Sequence, residues 1–107
     1  MTILPPEFEH KDARRTLTQL MSGEFKQLNV YHANQGAKLG NHFHKDTTEW
    51  FYVVQGTLEY NGLMTLSDGT LFKVTPPESH TLECLTPCTI ITAVNRPYSQ
   101  ENPDIYA

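Results

Sequence analysis

The stretch Gly36-Ala-Lys-Leu-Gly-Asn-His42-Phe-His44-Lys-Asp-Thr-Thr-Glu49-Trp-Phe-Tyr-Val-Val-Gln-Gly56 decides how this chain folds. Alternate residues of a strand share a face, so His42 and His44 point one way and Phe43 the other. Lys45 to Thr48 are polar and can turn the chain. Glu49 then opens a returning apolar strand on which Glu49, Phe51, Val53 and Gln55 share a face. Pairing of these two strands brings His42, His44 and Glu49 to one point. Two neutral imidazoles and a carboxylate suit a first-row divalent metal.

Outward from this centre the chain reads as short strands separated by turn residues. Residues 1–13 are polar and broken by Pro5-Pro6, which predicts an extended arm. Arg15 to Met21 alternates imperfectly, and Ser22-Gly23-Glu24 turns. Phe25 to His32 reads as a strand with Lys26, Leu28, Val30 and His32 on one side, and Ala33 to Gly40 as a loop. On the other flank, Thr57–Tyr60 and Leu63–Leu66 border Asn61-Gly62, a strong hairpin signal. Ser67-Asp68-Gly69 turns again, and Thr70–Val74 leads to Pro76-Pro77. His80–Leu85 and Thr89–Val94 are the last strands, and the turn-rich tail, 95–107, packs across the barrel or a neighbour. No segment with a helical period is long enough to read as a helix. The pattern is that of an all-β sandwich or barrel.

At 107 residues, with 38% hydrophobic residues, the chain is sized for one domain. A net charge of −4 and eight scattered Lys and Arg offer no face for a nucleic acid. No apolar run is long enough to span a membrane, and the N-terminus lacks a signal-peptide pattern, so a cytoplasmic protein is expected. Cys84 and Cys88 flank a short turn and can face each other across it. Without a secretion signal, reduced thiols are the expectation. Trp50, Tyr52 and Val54 form a stripe opposite Glu49, to be covered by the N-terminal arm or by a second subunit. A homodimer is expected on that ground.

The spacing Gly36-x5-His42-x-His44-x4-Glu49-x6-Gly56 resembles the first motif of the cupin superfamily at every defined position. A second motif follows in part: Gly69 and His80 stand in register, the proline is one place along at Pro76, and Pro77 and Cys84 replace a glycine and an asparagine. The resemblance spans about half the chain. It implies a cupin-type double-stranded β-helix, a jelly-roll barrel, over residues 1–107 as a single domain. It also implies a metal held by His42, His44, Glu49 and His80. All-N/O ligation admits Zn, Mn, Fe, Ni or Cu. Phe51, Gln55 and Cys84 are the expected pocket residues by their inward phase. His32 and Tyr60 are candidates to shuttle a proton, as is Tyr31, although strand histidines and tyrosines more often serve packing.

A fold does not fix a reaction. The first motif together with the tail Asn102-Pro-Asp-Ile-Tyr106 resembles the small cupin domains of surface-polysaccharide biosynthesis, which implies a sugar-nucleotide epimerase or isomerase. Such a reaction removes a proton α to a ketone and needs a base beside a group that stabilises the enolate. A metal-dependent dioxygenase and a non-catalytic ligand-binding module are the alternatives. A diphosphate-sugar site predicts that Arg14, Arg15, Lys26, Lys38 or Lys73 gather at the barrel mouth.

Overall fold

The computed structural model describes residues 1–23 and 25–107, so Glu24, the last residue of the expected turn at 22–24, lies outside the described residues. Eleven strands follow in chain order: β1 (Thr2–Leu4), β2 (Phe8–Lys11), β3 (Thr16–Gln19), β4 (Gln27–Ala33), β5 (Lys38–His42), β6 (Glu49–Gln55), β7 (Thr57–Tyr60), β8 (Met64–Ser67), β9 (Leu71–Val74), β10 (His80–Cys84) and β11 (Cys88–Val94). Among the described residues no helix is long and apolar enough to cross a membrane. Among the described residues, one sheet has the order β1-β9-β6-β11-β4, a second β5-β10-β7-β8, and β2 pairs only with β3. Every pairing is antiparallel. The two larger sheets face each other as a jelly roll, as the motif resemblance implies.

The core lies between them. Phe51 and Val53 of β6, Leu58 and Tyr60 of β7, Phe72 and Val74 of β9, Leu82 and Cys84 of β10 and Ile90 of β11 are all buried. Phe51 and Phe72 stack with ring centroids 4.8 Å apart. Removing such side chains from water stabilises the fold by about 1.5–3 kcal/mol each. At the β7–β8 turn, Asn61 and Gly62 both take positive φ, 52° and 67°, the conformation expected of that dipeptide in a hairpin.

Several expectations are corrected. β5 and β6 do not pair with each other. They belong to opposite sheets, so His42 and Glu49 meet across the barrel. The segment read as a loop to Gly40 already enters β5 at Lys38. Residues 1–13 are not one extended arm: Thr2–Leu4 extends the edge of the larger sheet beside β9, and Phe8–Lys11 forms a hairpin with β3. The turn from Cys84 to Cys88 passes from one sheet to the other instead of closing a hairpin. Both cysteines are free and buried.

The outer aromatic stripe is largely covered by the chain itself. Trp50 and Tyr52 line a cleft with Thr18, Leu20, Met21 and Phe25, and Lys73 sits 5.5 Å from the Trp50 ring centroid. Val54, Leu28 and Val30 stay exposed, at 43%, 62% and 57%.

Candidate metal centre

Four side chains converge at one end of the barrel. One donor atom from each of His42, His44, Glu49 and His80 lies within 4.8 Å of the others. His42 comes from the end of β5, Glu49 opens β6, and His80 opens β10 opposite His42. His44 lies beyond β5, on the loop to β6. The rings of His42, His44 and His80 pack with centroids 4.7–5.3 Å apart.

A local irregularity makes this possible. His80 pairs with His42 but Thr81 pairs with Gly40, so β5 carries one extra residue there. Such a bulge reorients side chains along a strand. It lets Leu39, which packs against the core, and His42 both face inward although they are three residues apart.

The electrostatics favour a cation. Glu49 Oε1 lies 2.6 Å from His44 Nε2 and 3.4 Å from His80 Nε2. Burial pushes the Glu49 carboxyl up, but hydrogen bonding and the fields of His80 and His44 outweigh it and hold it below its usual value. Burial, reinforced by repulsion from His80 and His44, pushes the His42 imidazole down, against Glu49. His44 contacts an acceptor at each ring nitrogen: the Asp104 carbonyl at Nδ1, 2.7 Å, and Glu49 at Nε2. A neutral imidazole has one N–H and cannot serve both. An imidazolium, or an imidazole protonated at Nδ1 beside a bound cation, meets both contacts, so the four residues fit the group that the motif implies. His42, His44, Glu49 and His80 are the side chains that would hold it.

A cavity of about 480 Å³ opens above His42, His44 and Glu49. A polar ladder runs from its wall to Thr92, which lines a second hollow: Tyr98 N–H donates to Gln27 Oε1 (2.8 Å), Gln27 Nε2 to Asn29 Oδ1 (3.2 Å), and Asn29 Nδ2 to Thr92 Oγ1 (3.5 Å). An adjoining hollow of about 260 Å³ reaches His80, Phe51 and Leu82. Tyr31 borders both.

The other expected site residues divide. Phe51 lines the inner hollow. Gln55 does not: it lies in a separate hollow with His32, Gly56 and Cys88. Cys84 is buried in the core, with its thiol pushed up to about 11 by burial and by Cys88. His32 is exposed on the outer face of β4, within 3.5 Å of Thr89 Oγ1. Gln27, Asn29, Val30 and Tyr31 of β4 line the cavity instead. Tyr60 packs in the core edge-on to Phe72, 5.8 Å between centroids, and its hydroxyl donates to Glu78. Burial and that carboxylate push its phenol far above the usual value. Neither His32 nor Tyr60 borders the cavity above the metal ligands. The residue that sequence reasoning missed is Asp104. It lies within the tail motif Asn102–Tyr106, but its partners stand about sixty positions away, so the sequence does not show what it holds.

No protein-family model matches the sequence, and neither does any curated protein. Solved structures match in fold: the chain is a cupin-type domain by architecture. It is similar to the capsular polysaccharide assembling protein CapF from Staphylococcus aureus, with 21% identity over 98% of this chain and a TM-score of 0.65. It spans about a third of that protein, 34%. Also similar are the dTDP-6-deoxy-D-glucose-3,5-epimerase RmlC from Legionella pneumophila in complex with dTDP-4-keto-L-rhamnose, and the dTDP-4-dehydrorhamnose 3,5-epimerase from Bacillus anthracis with TDP and PPi bound. The first has 16% identity, covers 92% of this chain and 68% of its own, and gives a TM-score of 0.76. The second has 23% identity, covers 92% and 74%, and gives 0.71.

Proposed function

We propose that this chain is a metal-binding cupin-type domain whose cavity takes a keto-sugar and that it serves as an epimerase or isomerase on it. The carrying observation is the convergence of His42, His44, Glu49 and His80 beside a cavity whose mixed wall includes the amides of Gln27 and Asn29 and the hydroxyls of Tyr31 and Thr47. A divalent transition ion there would supply Lewis acidity to a ligand carbonyl. Gln27, Asn29 and Thr92 present donors and acceptors suited to a polyhydroxylated ring, and each amide keeps a second N–H. Tyr31, on the cavity wall, replaces His32 and Tyr60 as the group that can hand a proton to a ligand oxygen or take one from it. The tail, with Pro97, Tyr98, Pro103 and Ile105 on the cavity rim, limits the access of water. Two of the fold neighbours are epimerases of dTDP-sugars, which supports a sugar-nucleotide ligand.

One observation favours a second reading, a module that binds a small polyol without turning it over. Among the described residues, the five cations expected at the mouth do not gather there. Arg14 pairs with Asp12 on the β2–β3 hairpin, Lys73 covers Trp50, and only Lys38 of the five borders the adjoining hollow. At the main cavity Arg96 donates to Asn102 O and lies 3.9 Å from Asp46 and Asp104.

Incubation with a dTDP-4-keto-6-deoxyhexose in deuterated water separates the two. The first reading expects deuterium at a carbon beside the ketone, lost in Tyr31→Phe and His42→Ala. Saturable binding without deuterium exchange would overturn it in favour of the second.

A further inference from the structure

The C-terminal tail is tied to the loop carrying His44 through one residue. Asp104 is buried, 2% exposed, and takes φ 55°. Its carboxylate accepts the backbone N–H groups of Lys45 (3.0 Å), Asp46 (2.9 Å) and Thr47 (2.8 Å) and the hydroxyl of Thr47 (2.8 Å). Its own carbonyl lies 2.7 Å from His44 Nδ1. Two residues on, Tyr106 bonds Phe43 in both directions, at 2.9 and 3.0 Å, and their rings stack. The backbone on both sides of His44 is therefore held by the tail, and so is the ring.

A carbonyl only accepts, so the contact commits the His44 proton to Nδ1. With an ion bound, Nε2 would be left to offer its lone pair at the point where Glu49 and the other two imidazoles converge. We propose that Asp104 is the positioning residue of the metal centre: its carboxylate folds the loop at 45–47 and its carbonyl sets the tautomer of His44. This inference rests on the metal reading. Groups that fix a liganding histidine in this way contribute about 10–100-fold to metal affinity.

Two substitutions isolate the effect. Asp104→Gly accepts the positive φ and removes the carboxylate. Asp104→Asn tolerates the same φ and keeps an oxygen for the donors of Asp46 and Thr47. Zinc affinity is measured by competition with a chromogenic chelator, the His44 ring nitrogens by long-range proton–nitrogen NMR, and folding by thermal melting. The expectation is a loss of about 10–100-fold for Asp104→Gly and a clearly smaller loss for Asp104→Asn. Wild type should show a proton on Nδ1 and zinc on Nε2.

Equal affinity of Asp104→Gly and wild type would overturn the proposal, and so would zinc on Nδ1. Should wild type bind no zinc, the metal reading fails by itself. The tautomer still decides the role of Asp104: a proton held on Nδ1 of the metal-free protein supports it, and a proton on Nε2 alone overturns it. If Asp104→Gly does not fold, the wild-type spectra and Asp104→Asn carry the test.

Discussion

Gly40→Ala should damage both the barrel and the metal centre. Gly40 takes φ 90°, and a Cβ built there would lie 2.7 Å from the carbonyl oxygen of His80 and 3.1 Å from its ring Cδ2. Two penalties follow. Holding a non-glycine residue in this part of φ space costs about 1–3 kcal/mol, and forcing an extra carbon against a packed strand costs about 1–3 kcal/mol more. Gly36→Ala is the internal control, because Gly36 has φ 86° but nothing within 4 Å of the added carbon. It should show the backbone penalty alone. In a domain of about this size each kcal/mol moves Tm by roughly 4–8 °C, so calorimetry should place Gly40→Ala clearly below Gly36→Ala. Zinc affinity should fall in Gly40→Ala only, since the clash bears on His80. Equal melting temperatures for the two variants, with equal zinc affinity, would refute the claim that the close approach at the bulge sets His80.

Three further outcomes are expected. Burial raises the Asp104 carboxyl, but its four hydrogen bonds outweigh that and hold it well below the usual range, so the unfolded chain binds a proton more readily there than the folded one. Its stabilisation is complete above the ordinary Asp value of about 3.9 and is lost as pH falls below it; in chelator, acid unfolding should be flatter in Asp104→Asn, and parallel curves would contradict the anchoring of the loop at 45–47 by the Asp104 carboxylate. With its thiol pushed up to about 11, Cys84 should react with an alkylating reagent at neutral pH only as fast as the barrel opens, whereas rapid labelling of folded protein would place it in an open pocket after all. We further propose a homodimer, because β4 is a free sheet edge carrying exposed Leu28 and Val30; sedimentation equilibrium should give twice the chain mass, reverting to one in Val30→Lys, and a wild-type monomer would contradict it.

The cupin-like motif spacing, more than strand periodicity, made the centre legible, since periodicity reports only which face a side chain takes. It does not report depth. Gln55 follows Glu49 by six residues, about 20 Å along a strand, and so reaches the far end of the barrel. Cys84 shares the inward phase of His80 but sits four residues, about 13 Å, further down.

On β4 the hydrophobic pattern misled for another reason. The face there that carries Gln27, Asn29 and Tyr31 borders an open cavity, while the apolar Leu28 and Val30 are exposed, Val30 at the cavity edge. Reading the apolar side as the inside therefore placed His32 wrongly. The pairing of β5 with β10 instead of β6 lies in long-range topology that no local pattern encodes. Asp104 is the clearest case: a buried carboxylate in a turn-rich tail, identified only when the loop at 45–47 folds onto it.

The most direct test of the account is metal content per chain, by elemental analysis of protein made without an affinity tag, for wild type and His42→Ala. The account predicts about one divalent transition ion per wild-type chain, as one four-donor centre requires, and none in the variant. A wild-type chain that holds no ion even after reconstitution would contradict it, and would leave His42 and His44 to act as acid and base themselves.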